Sequence, residues 1–308
     1  MYIKLSQWAS TRRDIFPGVV CDTLSTLQRD TKPHSWEQTM VVLDKEWGVG
    51  WEEKVKLDRK VIGSGCCAQV YKGVVVKGGK HKDVAVKVVH PGLYRQLELD
   101  LMVMQFGASM LTWLVTGIDW LSLERAVQEF RELMVGQVDM TKEAANLIKF
   151  RHNFKDHPEV SFPEPLVELC GSDVLVEDWV DGVGIHEYMG DTGREEEKRK
   201  LAELGVDMLL QMVFKDNYWH GDLHPGNIMV TRGGKLCVLD TGVASSLSEA
   251  DRDNLIKTFQ AVVLGESSKV GQLFLERSYH ECVDKEAFKR DMQNIVEEAR
   301  SAQLSLDR

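Results

Sequence analysis

The sequence predicts an α+β fold of two lobes, a small antiparallel sheet followed by a helical lobe, with a helical extension in front. Three observations carry this reading. Apolar residues follow period two over Val61-Ile62, Gln69 to Val76 and Val84 to Val89, which reads as three strands. Helical periodicity dominates the chain before and after that stretch. Near residue 220, the nine residues HGDLHPGNI lie between apolar flanks. Proline and glycine there forbid both a helix interior and a central strand, so a polar loop is held between buried elements.

Each element can be justified in order. Residues 1 to about 58 are rich in Trp and read as helical, with turn signals at Pro17-Gly18 and Thr31-Lys32-Pro33. The second and third strands are joined by Lys77-Gly78-Gly79-Lys80. Next comes the apolar run Leu99 to Ile118, long enough to span a bilayer but diluted by Asp100, Gln105, Ser109, Thr112 and Thr116. A buried or membrane-contacting helix is the preferred reading. A second helix, open to an interruption, is expected from about Leu121 to Phe154, then a strand from Val174 to Val180 ending in Asp181-Gly182. A helix from about Glu195 to Asp216 leads to the polar loop. Beyond it, Ile228 to Thr231 and Leu236 to Leu239 form a hairpin around Gly233-Gly234. The remainder is helical, one start marked by the capping pattern at Ser248 to Asp251. Three segments follow: the extension 1–58, a sheet lobe with helical insert 59–183, and a helical lobe 184–308, with a cleft between the lobes.

Composition narrows the function classes. The 308 residues are 43% hydrophobic and carry a net charge of −10, which argues against a nucleic-acid partner. Six cysteines without a CxxC pair suit a reducing compartment and argue against zinc. No signal peptide precedes the first motif.

The chemistry-bearing residues fall in four places. Between the first two strands lies GSGCCAQV, with Gly63, Ser64, Gly65, Cys66, Ala68 and Val70. Glycines there let backbone amides approach a phosphate, although a tight hairpin turn explains them equally well. It is not a Walker loop, and the strand that follows excludes a Rossmann fingerprint. The next strand, VAVKVV, puts Ala85, Lys87 and Val89 on one face. A lysine on a mostly apolar face needs an anion, unless it snorkels to water at an edge. Glu143 in QVDMTKEAAN is a candidate partner, four residues after Asp139 and therefore on the same helical face, if that face is not simply solvated. In the polar loop, Asp222 and Asn227 are five apart, and Asp240 follows in LDTG. Such hard oxygen ligands suit Mg²⁺, and they make a transition-metal role for His220 and His224 improbable. The four pieces together are the parts list for phosphoryl transfer from ATP.

Taken in order, KLSQ at Lys4 to Gln7, the small-residue loop, QVDMTKEAAN, VLVEDWVDG, HGDLHPGN and LDTG resemble the motifs of the UbiB/ADCK (aarF-domain-containing) atypical kinases. The resemblance covers essentially the whole chain and implies a protein-kinase-like fold. It also implies that Lys87 holds the α- and β-phosphates and pairs with Glu143, that Asn227 and Asp240 hold Mg²⁺, and that Asp222 occupies the position of the catalytic base. The backbone from Glu177 to Trp179 would meet the adenine as a hinge. Lys4 and Gln7 would lie over the active site near Gln137 and Asp139 as a regulatory segment. The family is associated with coenzyme Q and other isoprenoid-lipid metabolism at mitochondrial, bacterial or plastid membranes. Isoprenoid or phenolic lipids, lipid-biosynthesis proteins and peripheral membrane contact are therefore expected beside the nucleotide. This chain departs from the family pattern at Ser6, at Gln137, in its glycine-bearing loop and at Thr241, where the DFG aromatic is absent. An aminoglycoside- or choline-kinase-like enzyme and a catalytically weak scaffold are the alternatives.

Overall fold

A computed structural model describes residues 17–25, 33–77, 80–114, 122–189, 193–276 and 282–303. Its contacts divide the chain into two compact units. The first comprises the described residues up to Met208 together with His220–Ala244, and the second comprises Leu209–Trp219 and the described residues from Ser245 onward.

In the first unit, α1 (Gly18–Ser25) and α2 (Trp36–Trp47) precede the sheet. Ser35 caps α2 in a reciprocal capping box with Gln38. The sheet runs β1 (Val55–Ser64), β2 (Ala68–Lys77), β3 (Lys80–Val89) and β5 (Val174–Asp178), in that order and antiparallel throughout. The first strand starts six residues before the expected Val61. Its Lys56, Asp58, Arg59 and Lys60 masked the period. Charges of that kind are tolerated because β1 is an edge strand, anchored by buried Val55 opposite Val75. On β3, Val84, Val86 and Val88 are fully buried and pack with Val42 and Leu43 of α2, and with Trp51, Val174 and Val176. The alternate face of β3 carries Ala85 and Lys87.

Between β3 and β5 lie α3 (Leu93–Leu114), α4 (Leu123–Val138) and α5 (Met140–Asn153). The helical stretch expected over 121–154 has its interruption at Asp139, whose backbone is extended. On α3, Leu97, Leu101 and Ala108 are buried, whereas Met102, Val103, Phe106 and Trp113 are exposed. No described helix is long and apolar enough to cross a membrane. A second sheet, order β4 (Val160–Ser161), β9 (Leu236–Val238), β8 (Ile228–Thr231) and β6 (Gly182–Gly184), supports the polar loop. The β8–β9 hairpin turns through Gly234, whose φ of 74° suits glycine. The short helix α6 (His186–Met189) and α7 (Glu195–Leu210) follow β6. The helical segment expected to reach Asp216 changes to a π-helical turn over Gln211–Lys215. Two-residue strands β7 (Trp219–His220) and β10 (Ala244–Ser245) complete the described strands.

Gly182 is demanded by closeness. A Cβ there would stand 2.4 Å from the Val230 carbonyl oxygen and 3.0 Å from the Thr231 Cα. Gly182→Ala is therefore expected to cost about 1–3 kcal/mol, the range of an overpacked core, read as a fall in thermal midpoint. An unchanged midpoint would show that β6 can move off β8.

A polar run also crosses the first unit. The Gly65 carbonyl can only accept, so His90 Nε2, 2.9 Å away, carries the proton. With both rings neutral, His90 Nδ1 then accepts from His34 Nδ1 at 2.7 Å, and His34 Nε2 accepts from the Thr39 hydroxyl at 2.9 Å. Thr39 accepts in turn from the Tyr71 hydroxyl at 2.6 Å, which accepts from the Gln69 amide. Burial, with His90 adding to it, lowers the His34 pKa to about 4, so His34 enters the run as a neutral ring.

The second unit contains α8 (Glu249–Leu264), α9 (Ser267–Glu276) and α10 (Lys285–Gln303), packed around Ala261, Val270 and Val296. Ser248 caps α8 by accepting from the Asp251 N–H at 3.2 Å, as its motif predicts.

Candidate functional site

All the described candidate site residues belong to the first unit. Strand register fixes the floor. Val70 pairs with Lys87, and Lys87 with Leu175, so the three share a face. Lys87 is 9% exposed and its ammonium lies 2.5 Å from the Glu143 carboxylate, itself 4% exposed on α5. Burial alone would lower the Lys87 pKa, but Asp240, Glu143 and Glu177 outweigh it and raise it. The lysine is therefore a permanent cation. Burial pushes the Glu143 carboxyl upward and Lys87 opposes it. The Thr241 N–H, 3.3 Å from the same oxygen, also favours the carboxylate.

The polar loop is held by its own histidine. His220 is buried, its Nδ1 accepts from the Asp222 N–H at 3.0 Å, and its Nε2 donates to the Asp240 carbonyl. Burial lowers its pKa, which suits this neutral tautomer. Asn227 donates its amide to the Asp222 carbonyl at 3.0 Å, and its backbone carbonyl accepts from Leu239 N at 2.9 Å. Asp240 accepts from the Gly242 N–H at 3.0 Å, and Asn146 of α5 donates to the Thr241 carbonyl at 2.7 Å. One imidazole and one α5 glutamate thus lock the Asp222 loop, the Asp240 turn and the Lys87 strand together.

Gly63 and Ser64 end β1, Gly65 and Cys66 form the turn, and Ala68 opens β2. Gly65 N donates to the Ala68 carbonyl at 2.8 Å. Trp179 follows β5, donates its N–H to the Asp83 carbonyl at 3.2 Å, and lies under the Lys72 ammonium at 4.7 Å.

Asp139 does not share an exposed helical face with Glu143. It is the N-cap of α5, accepting from the Thr141 N–H at 3.0 Å and the Thr141 hydroxyl at 2.6 Å. Gln137 ends α4, and its buried Oε1 has no hydrogen-bond partner among the described residues. Lys4 and Gln7 lie outside the described residues.

Sequence reasoning missed His220 as the clamp, although its place two residues before the aspartate was a signal. It missed Asn146, it saw in Thr241 only the absent DFG aromatic, and it expected only backbone from Glu177. That side chain is 3% exposed, with its pKa raised to about 8 by burial, against the opposing pull of Lys87.

The residues could hold a hard cation. Asn227 commits its NH₂ to Asp222, which leaves the amide oxygen as its donor to a cation. Among the described residues no group of three or more His, Cys, Asp or Glu gathers as a metal cage. An amide oxygen with one carboxylate fits Mg²⁺, which keeps several waters and takes the rest from phosphate.

Comparison with known proteins follows this geometry. The chain is 30% identical to a mitochondrial ABC1 family protein of Saccharomyces cerevisiae over 99% of its own length and 56% of that protein. A probable protein kinase UbiB of Vibrio cholerae is 29% identical, over 91% of this chain and 52% of its own. The chain thus spans about half the length of the curated relatives it matches. Among solved structures, that of Rv3197 of Mycobacterium tuberculosis in complex with erythromycin superposes with a TM-score of 0.65 at 22% identity, covering 91% of this chain and 70% of that one. The fold is therefore α+β and kinase-like, with a small antiparallel sheet followed by helices. The model of the ABC1 atypical kinase-like domain matches residues 26–274, and the chain belongs to that family.

Proposed function

We propose that this chain binds ATP with Mg²⁺ and acts as an atypical kinase or ATPase in support of isoprenoid-lipid (coenzyme Q) metabolism. One observation carries the reading: a permanent ammonium at Lys87 faces two carboxylates, Glu143 and Asp240. Negative groups outnumber the cation, so a bare polyphosphate is repelled and one carrying a divalent cation is suited. Lys87, oriented by Glu143, holds the phosphates. The turn from Gly63 to Cys66, with Ala68 and Val70, covers them, and the backbone from Glu177 to Trp179 meets the base. Asn227 and Asp240 hold Mg²⁺, which would neutralise developing phosphate charge. Asp222, fixed through both its N–H and its carbonyl, accepts the proton of the attacking hydroxyl or water. Lys4, Gln7, Gln137 and Asp139 form the regulatory segment. The three-segment division 1–58, 59–183 and 184–308 belongs to the same proposal. A mitochondrial location is supported by relatives that carry that word in their names. Peripheral membrane contact, and with it access to isoprenoid or phenolic lipid, is supported by the exposed apolar residues of α3.

Thermal unfolding with ATP, with and without Mg²⁺, tests the binding. At a hundred times its dissociation constant a ligand stabilises the fold by about 2.7 kcal/mol, so the midpoint rises by several degrees. Asp240→Asn and Lys87→Met are expected to remove most of that rise. No shift at millimolar nucleotide would sink the reading. A shift without any turnover, with phenolic lipid precursors present, would favour the scaffold.

A further inference from the structure

The Glu177 side chain has no role in the site as described. It lies opposite Ala85, as Leu175 lies opposite Lys87, so it shares the sheet face of Lys87. It is 3% exposed, and its Oε2 has no hydrogen-bond partner among the described residues. An unmet polar atom this deep costs free energy that a well-packed apolar side chain would not, so it asks for a ligand. The residues that follow it, Asp178 and Trp179, are those proposed to meet the base.

We propose that Glu177 is the specificity-determining residue of the nucleotide site, reading the amino and N7 edge of adenine through a neutral carboxylic acid. The inference rests on the nucleotide reading above. A neutral carboxyl offers one donor and one acceptor. Adenine presents a donor at its 6-amino group and an acceptor at N7, so both positions are matched. Guanine and hypoxanthine present acceptors at both, and one contact is then opposed. The raised pKa of Glu177 keeps the proton in place at neutral pH. A glutamine amide has the same pair of functions in nearly the same shape, whereas leucine has neither. A competing account makes Glu177 one more counter-charge for Lys87. In that case glutamine and leucine would behave alike.

Titration calorimetry of the Mg²⁺ complexes of ATP, 7-deaza-ATP and ITP at pH 7 separates the two. The wild-type chain is expected to prefer ATP by about tenfold over each analogue, the value of about one hydrogen bond. Glu177→Gln should keep both preferences. Glu177→Leu should bind all three alike while still binding Mg-ATP. Equal binding of the three nucleotides by the wild type overturns this assignment and leaves the nucleotide reading standing. So does loss of both preferences in Glu177→Gln. A wild type that binds none of them overturns both.

Discussion

Replacing Lys87 by alanine is expected to cost about 3–5 kcal/mol of folding stability with no ligand present, because it strips the cation from a buried ion pair. The 2.5 Å contact to Glu143 involves two nearly inaccessible groups, and Asp240 adds negative charge nearby. Without the ammonium, Glu143 escapes part of the penalty by taking up a proton. Its folded pKa then lies further above its unfolded value, and such a group loses stability as pH rises. The gap between wild type and Lys87→Ala should therefore widen from pH 5 to pH 8 in denaturant unfolding. Substituting both partners, Lys87→Met with Glu143→Leu, should recover most of the loss. A single-variant loss below about 1 kcal/mol, independent of pH, would mean that water reaches the pair.

His220→Ala is expected to be nearly as costly. The Asp222 N–H and the Asp240 carbonyl, both only part-buried, lose about 0.5–1.5 kcal/mol each, and the buried ring leaves a cavity besides. Since the imidazole ties the two loops together, turnover should fall by about a hundredfold, the effect of a displacement on the order of 1 Å between reacting groups. Acid supplies an independent readout. The folded pKa of His220 lies below its unfolded value, so the unfolded chain takes up the proton first and stability falls as pH drops below about 6.5. The alanine variant should lose its share of that slope. An identical acid slope in both proteins, with turnover intact, would assign the ring to packing alone.

The sequence made much of this legible because several of its signals are local. Period two across VAVKVV assigned Lys87 a face, and the register bears that face out. The capping pattern at Ser248 predicted a helix start, and Gly233-Gly234 predicted a tight turn. What stayed hidden depends on partners far along the chain. Alternation says which face Glu177 occupies but not how deep it lies, and depth is what raises its pKa. Asp139 reads equally well as a helix-face residue or as a cap, and only the extended backbone there decides between them. The second bond of His220 ends twenty residues away, beyond the reach of any local pattern. At β1, charged residues hid the strand because an edge position tolerates them.

The run from Gln69 to Gly65 has a further consequence, which concerns heredity rather than geometry. Between the Gln69 amide as donor and the Gly65 carbonyl as acceptor, Tyr71, Thr39, His34 and His90 each give one proton along the run and take one, all in the same sense, so no single link can be reversed alone. Tyr71→Phe takes the shared phenol from Gln69 and from the Thr39 hydroxyl, leaving them their 3.3 Å contact with each other. After that first loss, a second change at Thr39 or His34 acts on groups whose bonding has already been rearranged. Effects within such a network do not add. These positions should therefore drift together through evolution, with the turn at Gly65 recording substitutions made in the opposite face of the sheet.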